Sequence, residues 1–397
     1  MRSVYSVLIT LVTLILSCAE EKREADGGIY LYPVKIGQKW GYIDQNGSML
    51  VEPQFRSAEA FSDGLARVVF DEPAESVLPS NGYLRYWKWG FIDSTGKVAF
   101  RLEAKHVNDF SDGMAMIDNQ GAKRYPDTIK YIDKTGRIAI DVEGEAGDHF
   151  SEGLARIRVT DSSAPYGGKW GFINKSGEWV IQPQFQGAGN FFEGLASFIV
   201  KDEDGGIRWG YIDRRGKVVI PAKYDQAYDF HEGIAMARIG DIKNNRFRFH
   251  EPGWRYIDKI GEFLDDTTKF LAYAGFSEGL AAVYSNHKYG FINKNMEIVI
   301  PPEFTHVGGF MRNTRMVRGF HECLCAASKE SIAGRVGCID TTGQFVIAPV
   351  FHTIEPFWGP LARAQNQNSD GKFQSGYINR RGEWVYNDDY EYPEGIP

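Results

Sequence analysis

The chain has little cysteine and no excess of positive charge. Four of its 397 residues are cysteine, and the formal net charge is -7. A disulfide scaffold needs a much higher cysteine content, and a nucleic-acid surface needs cations that neutralise phosphates. We therefore exclude both classes and expect no nucleic-acid partner.

The common catalytic signatures are also missing. The sequence contains no Gly-x-Ser-x-Gly, His-Glu-x-x-His, P-loop or dinucleotide-binding pattern, and its eight histidines are scattered. We therefore predict no catalytic residue, no cofactor and no metal site, and we expect a protein that is not an enzyme.

The only long apolar run lies at the N-terminus, between Val4 and Leu16. It is shorter than the roughly 20 residues that span a bilayer, but its length is typical of a signal peptide. The following stretch, Ile15-Leu16-Ser17-Cys18, resembles a bacterial lipobox, which implies cleavage before Cys18 and lipidation of that cysteine. An ordinary secretory signal with a chance cysteine is the alternative.

These features predict a signal peptide over residues 1–17 and a lipidated cysteine with a charged tether over residues 18–28. Because Ala19, and not aspartate, follows the cysteine, resemblance to bacterial lipoproteins implies anchoring in the outer membrane of the cell envelope. The sequence does not determine which leaflet of that membrane carries the protein.

From residue 29 onwards, one motif returns nine times. KWGYIDQNG at 39–47 recurs in recognisable form, and the glycine that follows its tryptophan, or the equivalent position, falls at 41, 90, 130, 171, 210, 255, 290, 337 and 376. A second signature, FSDGLA at 61–66 and FSEGLA at 150–155, precedes most copies. Together these motifs resemble the bacterial WG (KWG) repeat family. The resemblance implies an all-β domain over residues 29–397 and no common activity or ligand.

Each repeat is predicted to be a three-stranded β-meander. Residues Lys39 to Asp44 alternate as a strand, with Trp40 and Tyr42 on one face and Gly41 and Ile43 on the other. The glycine is expected to admit a close neighbour, and a proline such as Pro183 to help stop the third strand. Apolar residues spaced by three, such as Phe185, Ala188 and Phe191, predict a helical or 3₁₀ turn.

Nine units of about three strands favour an open superhelical or solenoid-like array. Closed β-propellers typically have four to eight blades of four strands. A closed β-propeller is the alternative.

A residue that recurs in every repeat is interpreted as architecture. The aspartate of the middle strand alternates with asparagine, as at Asn174, so it caps a turn and is no general base. The acids of the second signature, such as Asp63 and Glu152, are interpreted as solvated turn residues in preference to calcium ligands. The recurrent tryptophans are interpreted as packing groups in preference to carbohydrate platforms.

Three cysteines remain beyond Cys18, and His321 lies near them. We predict a disulfide between Cys338 and either Cys323 or Cys325. A structural metal site is the alternative, although the spacing matches no common zinc pattern.

Function is expected where the repeats differ. Two loops combine aromatic and basic side chains, which are typical of binding hot spots, and extension of the flanking strands is the alternative. The candidate binding residues are Tyr83, Arg85, Tyr86, Trp87, Arg246, Phe247, Arg248 and His250.

The leading hypothesis is a non-enzymatic binding or scaffold lipoprotein of the cell envelope. Its expected partners are the membrane, through the anchor, and an envelope protein or glycan. A glycan-processing enzyme on a β-repeat frame and a passive surface spacer are the alternatives. The enzyme hypothesis needs two carboxylates about 5 to 10 Å apart in one cleft. The spacer hypothesis predicts that the protein tolerates deletion of whole repeats.

Overall fold

The computed structural model describes residues 30–73, 87–118, 128–160, 168–202, 205–239, 253–264, 270–312, 315–330, 335–367 and 371–388. These stretches contain 36 β-strands and no helix, and therefore no helix that could cross a membrane. The all-β prediction is confirmed.

The chain divides into two compact units. The larger unit contains residues 31–43 and 49–272, and the smaller unit contains residues 1–30, 44–48 and 273–397. The strands β1 to β23 belong to the larger unit, and the strands β24 to β36 belong to the smaller unit.

The first three sheets contain the following strands: β1 (Tyr32–Ile36), β2 (Lys39–Ile43) and β3 (Met49–Phe55) in sheet 1; β4 (Ser57–Ser62), β5 (Leu65–Pro73), β6 (Trp87–Ile92) and β7 (Val98–Ala104) in sheet 2; β8 (His106–Val107), β9 (Ala115–Asp118), β10 (Thr128–Ile132) and β11 (Ile138–Glu143) in sheet 3.

The next three sheets contain these strands: β12 (Ala146–Gly147), β13 (Leu154–Thr160), β14 (Gly168–Asn174) and β15 (Trp179–Phe185) in sheet 4; β16 (Gly187–Ala188), β17 (Leu195–Lys201), β18 (Ile207–Asp213) and β19 (Val218–Tyr224) in sheet 5; β20 (Gln226–Ala227), β21 (Ala235–Arg238) and β22 (Trp254–Ile257) in sheet 6.

The larger unit ends with the short strand β23 (Leu271–Ala272). The smaller unit contains these strands: β24 (Leu280–Ser285), β25 (Lys288–Asn293) and β26 (Ile298–Phe304) in sheet 7; β27 (His306–Val307), β30 (Cys325–Ser328), β31 (Val336–Ile339) and β32 (Phe345–Phe351) in sheet 8; β33 (Thr353–Ile354), β34 (Leu361–Gln367), β35 (Phe373–Asn379) and β36 (Trp384–Asp388) in sheet 9; β28 (Gly309–Arg312) and β29 (Arg315–Arg318) in a two-stranded ribbon.

The repeat has one more strand than predicted. In sheet 4 the order β12-β13-β14-β15 is antiparallel throughout, and the extra strand β12 is only two residues long. The predicted helical or 3₁₀ turn is wrong. Two residues after β11, the chain bends and pairs with the next sheet, as shown by the hydrogen bond from the Glu145 amide to the Arg158 carbonyl at 2.8 Å.

The buried cores lie between consecutive sheets. Phe172 and Ile173 are neighbours in β14, yet Phe172 packs with Ile212 of sheet 5 and Ile173 packs with Tyr131 of sheet 3. This alternation confirms the predicted two-faced middle strand. Sheet 4 therefore buries both of its faces, and its core is completed by sheets 3 and 5.

The glycine of the middle strand lies against a bulge in the outer strand. A Cβ on Gly171 would lie 2.6 Å from the Ile181 carbonyl oxygen and 2.7 Å from the Pro183 nitrogen, where the pairing of β14 with β15 shifts register. The predicted close approach is confirmed. The prediction that proline stops the strand is wrong, because Pro183 lies inside β15, at a bulge that needs no amide donor.

Contacts within the smaller unit join the two ends of the repeat series. A Cβ on Gly47, in the turn after β2, would lie 2.5 Å from the Val385 carbonyl oxygen of β36, and a Cβ on Gly359 would lie 2.6 Å from the Tyr30 ring. An open array predicts no such contacts, so the preference for it is wrong on this point. The closed β-propeller alternative does predict them.

Candidate functional site

Each sheet has two different ends. In sheet 4, the hairpin turn Ser151–Leu154 and the turn Asn174–Glu178 lie at one end, because antiparallel strands reverse direction. We call this the clasp end. The connection from β13 to β14 leaves from the opposite end, which we call the loop end.

The hairpin turns at the clasp end have a constrained backbone. Ser151 and Leu154 exchange hydrogen bonds of 2.9 and 3.1 Å, while Glu152 and Gly153 have φ values of 53° and 80°. Two positive φ values define a type I′ turn, which favours asparagine, aspartate or glycine. A left-handed conformation costs an ordinary residue about 1 to 2 kcal/mol. The recurrent acid at this strained position therefore indicates that its carboxylate is needed.

That carboxylate binds the next repeat. Glu152 accepts a hydrogen bond from the Gly194 amide at 3.0 Å, and Glu193 accepts one from the Gly233 amide at 2.8 Å. We call this contact the carboxylate clasp. Further clasps join Asp63 to Gly113, Asp112 to Gly153, Glu278 to Cys323 and Glu322 to Gly359.

Cations complete several clasps. The Nζ of Lys134 lies 2.9 Å from Asp63, that of Lys175 lies 2.7 Å from Asp112, and that of Lys259 lies 3.1 Å from Glu193. The interpretation of these acids as merely solvated turn residues is therefore wrong. The detectable signal was the recurrence of glutamate, as at Glu152 and Glu193, where the turn itself favours asparagine, aspartate or glycine.

The clasp changes the acidity of Glu193. Partial burial raises the pKa of Glu193, but hydrogen bonds from the Gly233 amide, Lys259 and the Glu232 amide outweigh burial. The net pKa of the carboxyl lies below its ordinary value. The charged form is therefore the one that holds the clasp.

The aspartates of the middle strand cap turns, as predicted. Asp44 Oδ1 accepts hydrogen bonds of 2.8 Å from the amides of Asn46 and Ser48. Asn174 Oδ1 accepts equivalent bonds of 2.9 and 3.0 Å from Ser176 and Glu178. Because the amide makes the same cap as the carboxylate, the position serves the turn.

The recurrent tryptophans pack, which confirms that interpretation. Trp89 is 9% exposed, and its Nε1 donates to the Ala104 carbonyl at 2.9 Å. The guanidinium of Arg67 lies 5.2 Å from the Trp89 ring, and that of Arg156 lies 4.9 Å from the Trp170 ring. These cations cover ring surface that a sugar would need for stacking.

The predicted binding residues fall largely outside the described stretches. Cys18, Tyr83, Arg85, Tyr86, Arg246, Phe247, Arg248 and His250 all lie there. Trp87 begins β6, where its backbone pairs with Ala104. The seven predicted residues between 83 and 86 and between 246 and 250 belong to the connections β5–β6 and β21–β22, which both start and finish at the loop end.

The predicted disulfide is not formed. Cys325 and Cys338 are free and buried thiols, and Cys338 faces Ala326 across β30 and β31. Because side chains alternate along a strand, Cys325 and Cys338 lie on opposite faces of sheet 8. Burial raises the pKa of the Cys338 thiol to about 12, so this thiol stays protonated near neutral pH.

The alternative of a metal site finds no support in the described stretches. No group of three or more suitable histidine, cysteine or acidic side chains comes together there. Cys323, which the metal pattern included, instead occupies the second central position of a clasp turn, with φ 65°.

One polar cluster was missed by sequence reasoning. His149 Nδ1 lies 2.8 Å from Asp148 Oδ1, and Arg156 Nε donates to Asp148 Oδ2 at 3.0 Å. Burial raises the pKa of Asp148, but the His149 hydrogen bond and the Arg156 charge hold it well below its ordinary value. Asn190, only 4% exposed, lies 3.3 Å from His149 Nε2.

This cluster is better suited to joining sheets than to proton transfer. With Nδ1–H of His149 donated to Asp148, the Nε2 atom accepts from the Asn190 amide. Asn190 and Arg156 thereby connect sheets 4 and 5. The only sequence signal was the varying residue pair before the clasp-turn phenylalanine, such as Asp148-His149 and Gly189-Asn190.

The recurrent geometry agrees with a family comparison. The family model of the WG-containing repeat matches residues 40–72, 89–121, 131–161, 170–202, 209–241, 289–313 and 337–369. The chain belongs to this family. The WG tryptophan and glycine are thus the packed ring and the bulge-facing residue described above. No curated protein matches the chain by sequence.

Solved structures extend the comparison of folds. A crystal structure of a eukaryotic initiation factor is similar with a TM-score of 0.57 at 10% identity, covering 91% of this chain and 96% of that chain. Apo AztD from Citrobacter koseri has a TM-score of 0.36 at 10% identity, covering 90% and 94%. The β-propeller domain of the Trilobed protease from Pyrococcus furiosus has a TM-score of 0.37 at 11% identity, covering 69% and 99%. The likeness to the initiation factor concerns the fold only, because the two sequences are 10% identical.

Proposed function

We propose that this WG-repeat protein is a non-enzymatic binding or scaffold module that a lipid on Cys18 holds to the bacterial cell envelope. The supporting observation is the difference between the two ends of its sheets. Recurrent polar groups at the clasp end, such as Glu152 and Asn174, are engaged in contacts between repeats or in turn caps. The loops at the other end differ in length and composition, as a binding surface requires.

The entry point of the chain supports an orientation. Tyr32 begins β1 opposite Ile43, next to the turn at 44–48, so the chain enters sheet 1 at the clasp end. Residues 19–29 can span at most about 40 Å when fully extended. The tether therefore reaches the clasp end, and the loop end faces away from the membrane, towards an envelope protein or glycan.

The residues proposed for binding are those of the two aromatic and basic loops. Tyr83, Arg85 and Tyr86 belong to the β5–β6 connection, Trp87 begins β6, and residues 246–250 belong to the β21–β22 connection. Tyrosine, tryptophan and arginine are the side chains most often found at the energetic centre of an interface.

Affinity capture from detergent-solubilised native envelope tests this function. The baits are the full lipidated chain, a variant with residues 83–87 and 246–250 replaced by Gly/Ser, and a control with Gly/Ser at 161–167. The control loop joins β13 to β14 and carries no arginine or tryptophan. We expect one defined partner with the wild type and the control only. Equal or empty captures from all three baits would favour a passive spacer.

A further inference from the structure

Two repeats carry an arginine directly before the tryptophan position of the WG pair, at Arg208 in sheet 5 and at Arg335 in sheet 8. In both sheets, the pairing of the middle strand with the outer strand brings a corner residue next to this arginine at the loop end. That corner residue is Asp225 in sheet 5 and His352 in sheet 8, each 17 positions after its arginine. The two arginines are therefore equivalent, and their surroundings can be compared.

The charge of Arg208 is compensated within the chain. Its Nη1 donates to the Asp225 carboxylate, and its Nη2 lies 3.2 Å from Asp202 Oδ2. Two carboxylates thus hold both arms of one guanidinium, which is the arrangement that its forked geometry favours. This arginine needs no further anion.

The charge of Arg335 has no such compensation. Its Nη1 lies 2.9 Å from His352 Nδ1 and 3.3 Å from the Val350 carbonyl oxygen, and it also donates to Asn366 Oδ1. These acceptors are neutral, and no carboxylate of the described residues, including Glu330 in the same connection, forms an ion pair with Arg335. Its Nη2 and Nε make no hydrogen bond within those stretches. A partly buried cation therefore keeps N–H donors that a ligand can use.

Neutral polar and aromatic groups lie beside Arg335. A guanidinium only donates, so Nδ1 of His352 accepts and the ring proton lies on Nε2, where it is a further donor. The Phe373 ring lies 5.3 Å from the His352 ring and is 54% exposed. Gln374 pairs directly with Asn366 across β34 and β35, so the two amides share one face of sheet 9. The loop end of sheets 8 and 9 thus combines an uncompensated cation, neutral amides and an exposed aromatic ring.

We propose that this cluster binds the carboxylate of an acidic sugar. We name it the Arg335 site and define it by Arg335, His352, Asn366, Phe373 and Gln374. A guanidinium fork matches the two oxygens of a carboxylate. The carboxylate of the ligand takes the place at Nη2 that an aspartate of the chain fills in sheet 5, and the Nε2–H of His352 is available to a second polar group.

The surroundings of the cation favour a sugar over an acidic polypeptide. Amide groups both donate and accept hydrogen bonds, as the hydroxyls of a sugar do. The exposed ring of Phe373 offers an apolar face to the C–H groups of a sugar ring. Recognition of acidic peptides typically uses a cluster of arginines, whereas the Arg335 site has one.

The inference rests on the proposed function, because it names the chemistry of a glycan that the loop end meets. In that function the loop end faces away from the membrane. An acidic glycan of the envelope can therefore reach the Arg335 site while the lipid on Cys18 holds the protein.

Calorimetric titration of the full lipidated chain in detergent tests the site. The probe is a tetramer of galacturonic acid, and the control ligand is its methyl ester, which keeps the sugar rings and removes the charge. We expect the acid to bind saturably and the ester to bind about tenfold more weakly or worse. No binding of the acid, or equal binding of the two ligands, would overturn the proposal.

His352→Asp tests the location of the site. This variant gives Arg335 the internal carboxylate that Asp225 supplies in sheet 5, so the fold has a precedent for it. We expect it to weaken binding of the tetramer about tenfold. His287→Asp makes the same replacement at an exposed loop-end position of sheet 7 and should leave binding unchanged. If the two variants bind equally well, the ligand lies elsewhere.

Phe373→Ala tests the role of the ring. We expect the tetramer to bind about threefold more weakly, because the apolar face for the sugar is lost. Ile260→Ala is the control, since it removes an apolar side chain that is 71% exposed in the clasp-end turn of sheet 6. Unchanged binding by Phe373→Ala would contradict stacking of a sugar ring.

Two further results separate the alternatives. A hexaglutamate peptide that binds as tightly as the tetramer would show that the site takes polypeptide carboxylates, and would overturn the assignment to a sugar. Capture of an envelope partner by a chain that does not bind the tetramer would refute the Arg335 site and leave the proposed function standing. Binding of the tetramer together with empty captures would retain the site and contradict the proposed function.

Discussion

At the scale of single residues, the WG glycine is an obligate small residue. Glycine is needed here because the outer strand bulges into the space that a Cβ would occupy. The backbone φ of this glycine is ordinary. At Gly171 three neighbouring atoms lie within 2.8 Å of the missing Cβ. The sequence predicted the close approach, but not that its partner is the bulge at Pro183.

Gly171→Ala should lower the free energy of unfolding by about 1 to 3 kcal/mol, because the backbone of β15 must shift to admit the methyl group. Gly275→Ala is the matched control, since no atom lies within 4 Å of that Cβ position. Chemical denaturation measures both. If Gly171→Ala lowers the free energy of unfolding no more than Gly275→Ala does, the backbone of β15 can move away from the added methyl group at little cost.

Cys323→Gly should stabilise the protein by about 0.5 to 1 kcal/mol. Glu322 and Cys323 both have positive φ, at 50° and 65°, and glycine relieves the strain of a side chain in this conformation. The amide that Cys323 donates to Glu278 remains in the variant. Thermal unfolding under reducing conditions measures the change, and a lower melting temperature would indicate that the thiol makes a contact of its own.

At the scale of elements, periodicity identified the long strands but misassigned the connectors. Phe185, Ala188 and Phe191 are spaced by three because a strand corner at Gln186 carries the chain from one sheet to the next. Such a corner and a helical turn bury the same positions. A two-residue strand is also too short to give an alternating pattern, so the fourth strand could not be read from the sequence.

Glu193→Gln should cost about 1 kcal/mol at neutral pH, since one charged acceptor of the Gly233 and Glu232 amides is lost. Glu178→Gln is the control, because Glu178 accepts a hydrogen bond only from Asn174 of its own turn among the bonds described. Denaturation midpoints of the two variants should differ. Equal midpoints would remove the clasp as a source of stability.

The same clasp predicts a dependence on pH. The folded-state pKa of Glu193 lies below its ordinary value of 4.5, so its contribution is complete above that value and is lost as pH falls through the folded pKa. The gap in unfolding free energy between wild type and Glu193→Gln should therefore close in acid. Denaturation at a series of pH values measures it, and a gap that widens in acid would contradict the sign.

At the scale of the whole molecule, the sequence predicted the repeat better than the site. Nine copies made the architecture recognisable because each core position recurs. The loops with Arg85 and Phe247 do not recur, so no pattern within the chain could test them. The clasp was missed for a related reason, since its hydrogen bonds join residues about 40 positions apart.

Cys18→Ser should release the protein from the membrane. Without the lipid, only charge–charge attraction to the membrane surface remains, and high salt screens it. Fractionation of the native envelope at high salt measures the retained protein. Full retention of the variant would contradict lipidation of Cys18 as the anchor.

Photocrosslinking tests the central claim, that the clasp end faces the membrane and the loop end binds. A photoreactive phenylalanine analogue is placed at Tyr83, Phe247 or Ile260 of the lipidated chain in native envelope. The account predicts crosslinks to a defined protein or glycan from the first two positions and to lipid from the third. Lipid crosslinks from Tyr83 and Phe247, or the same products from all three positions, would contradict it.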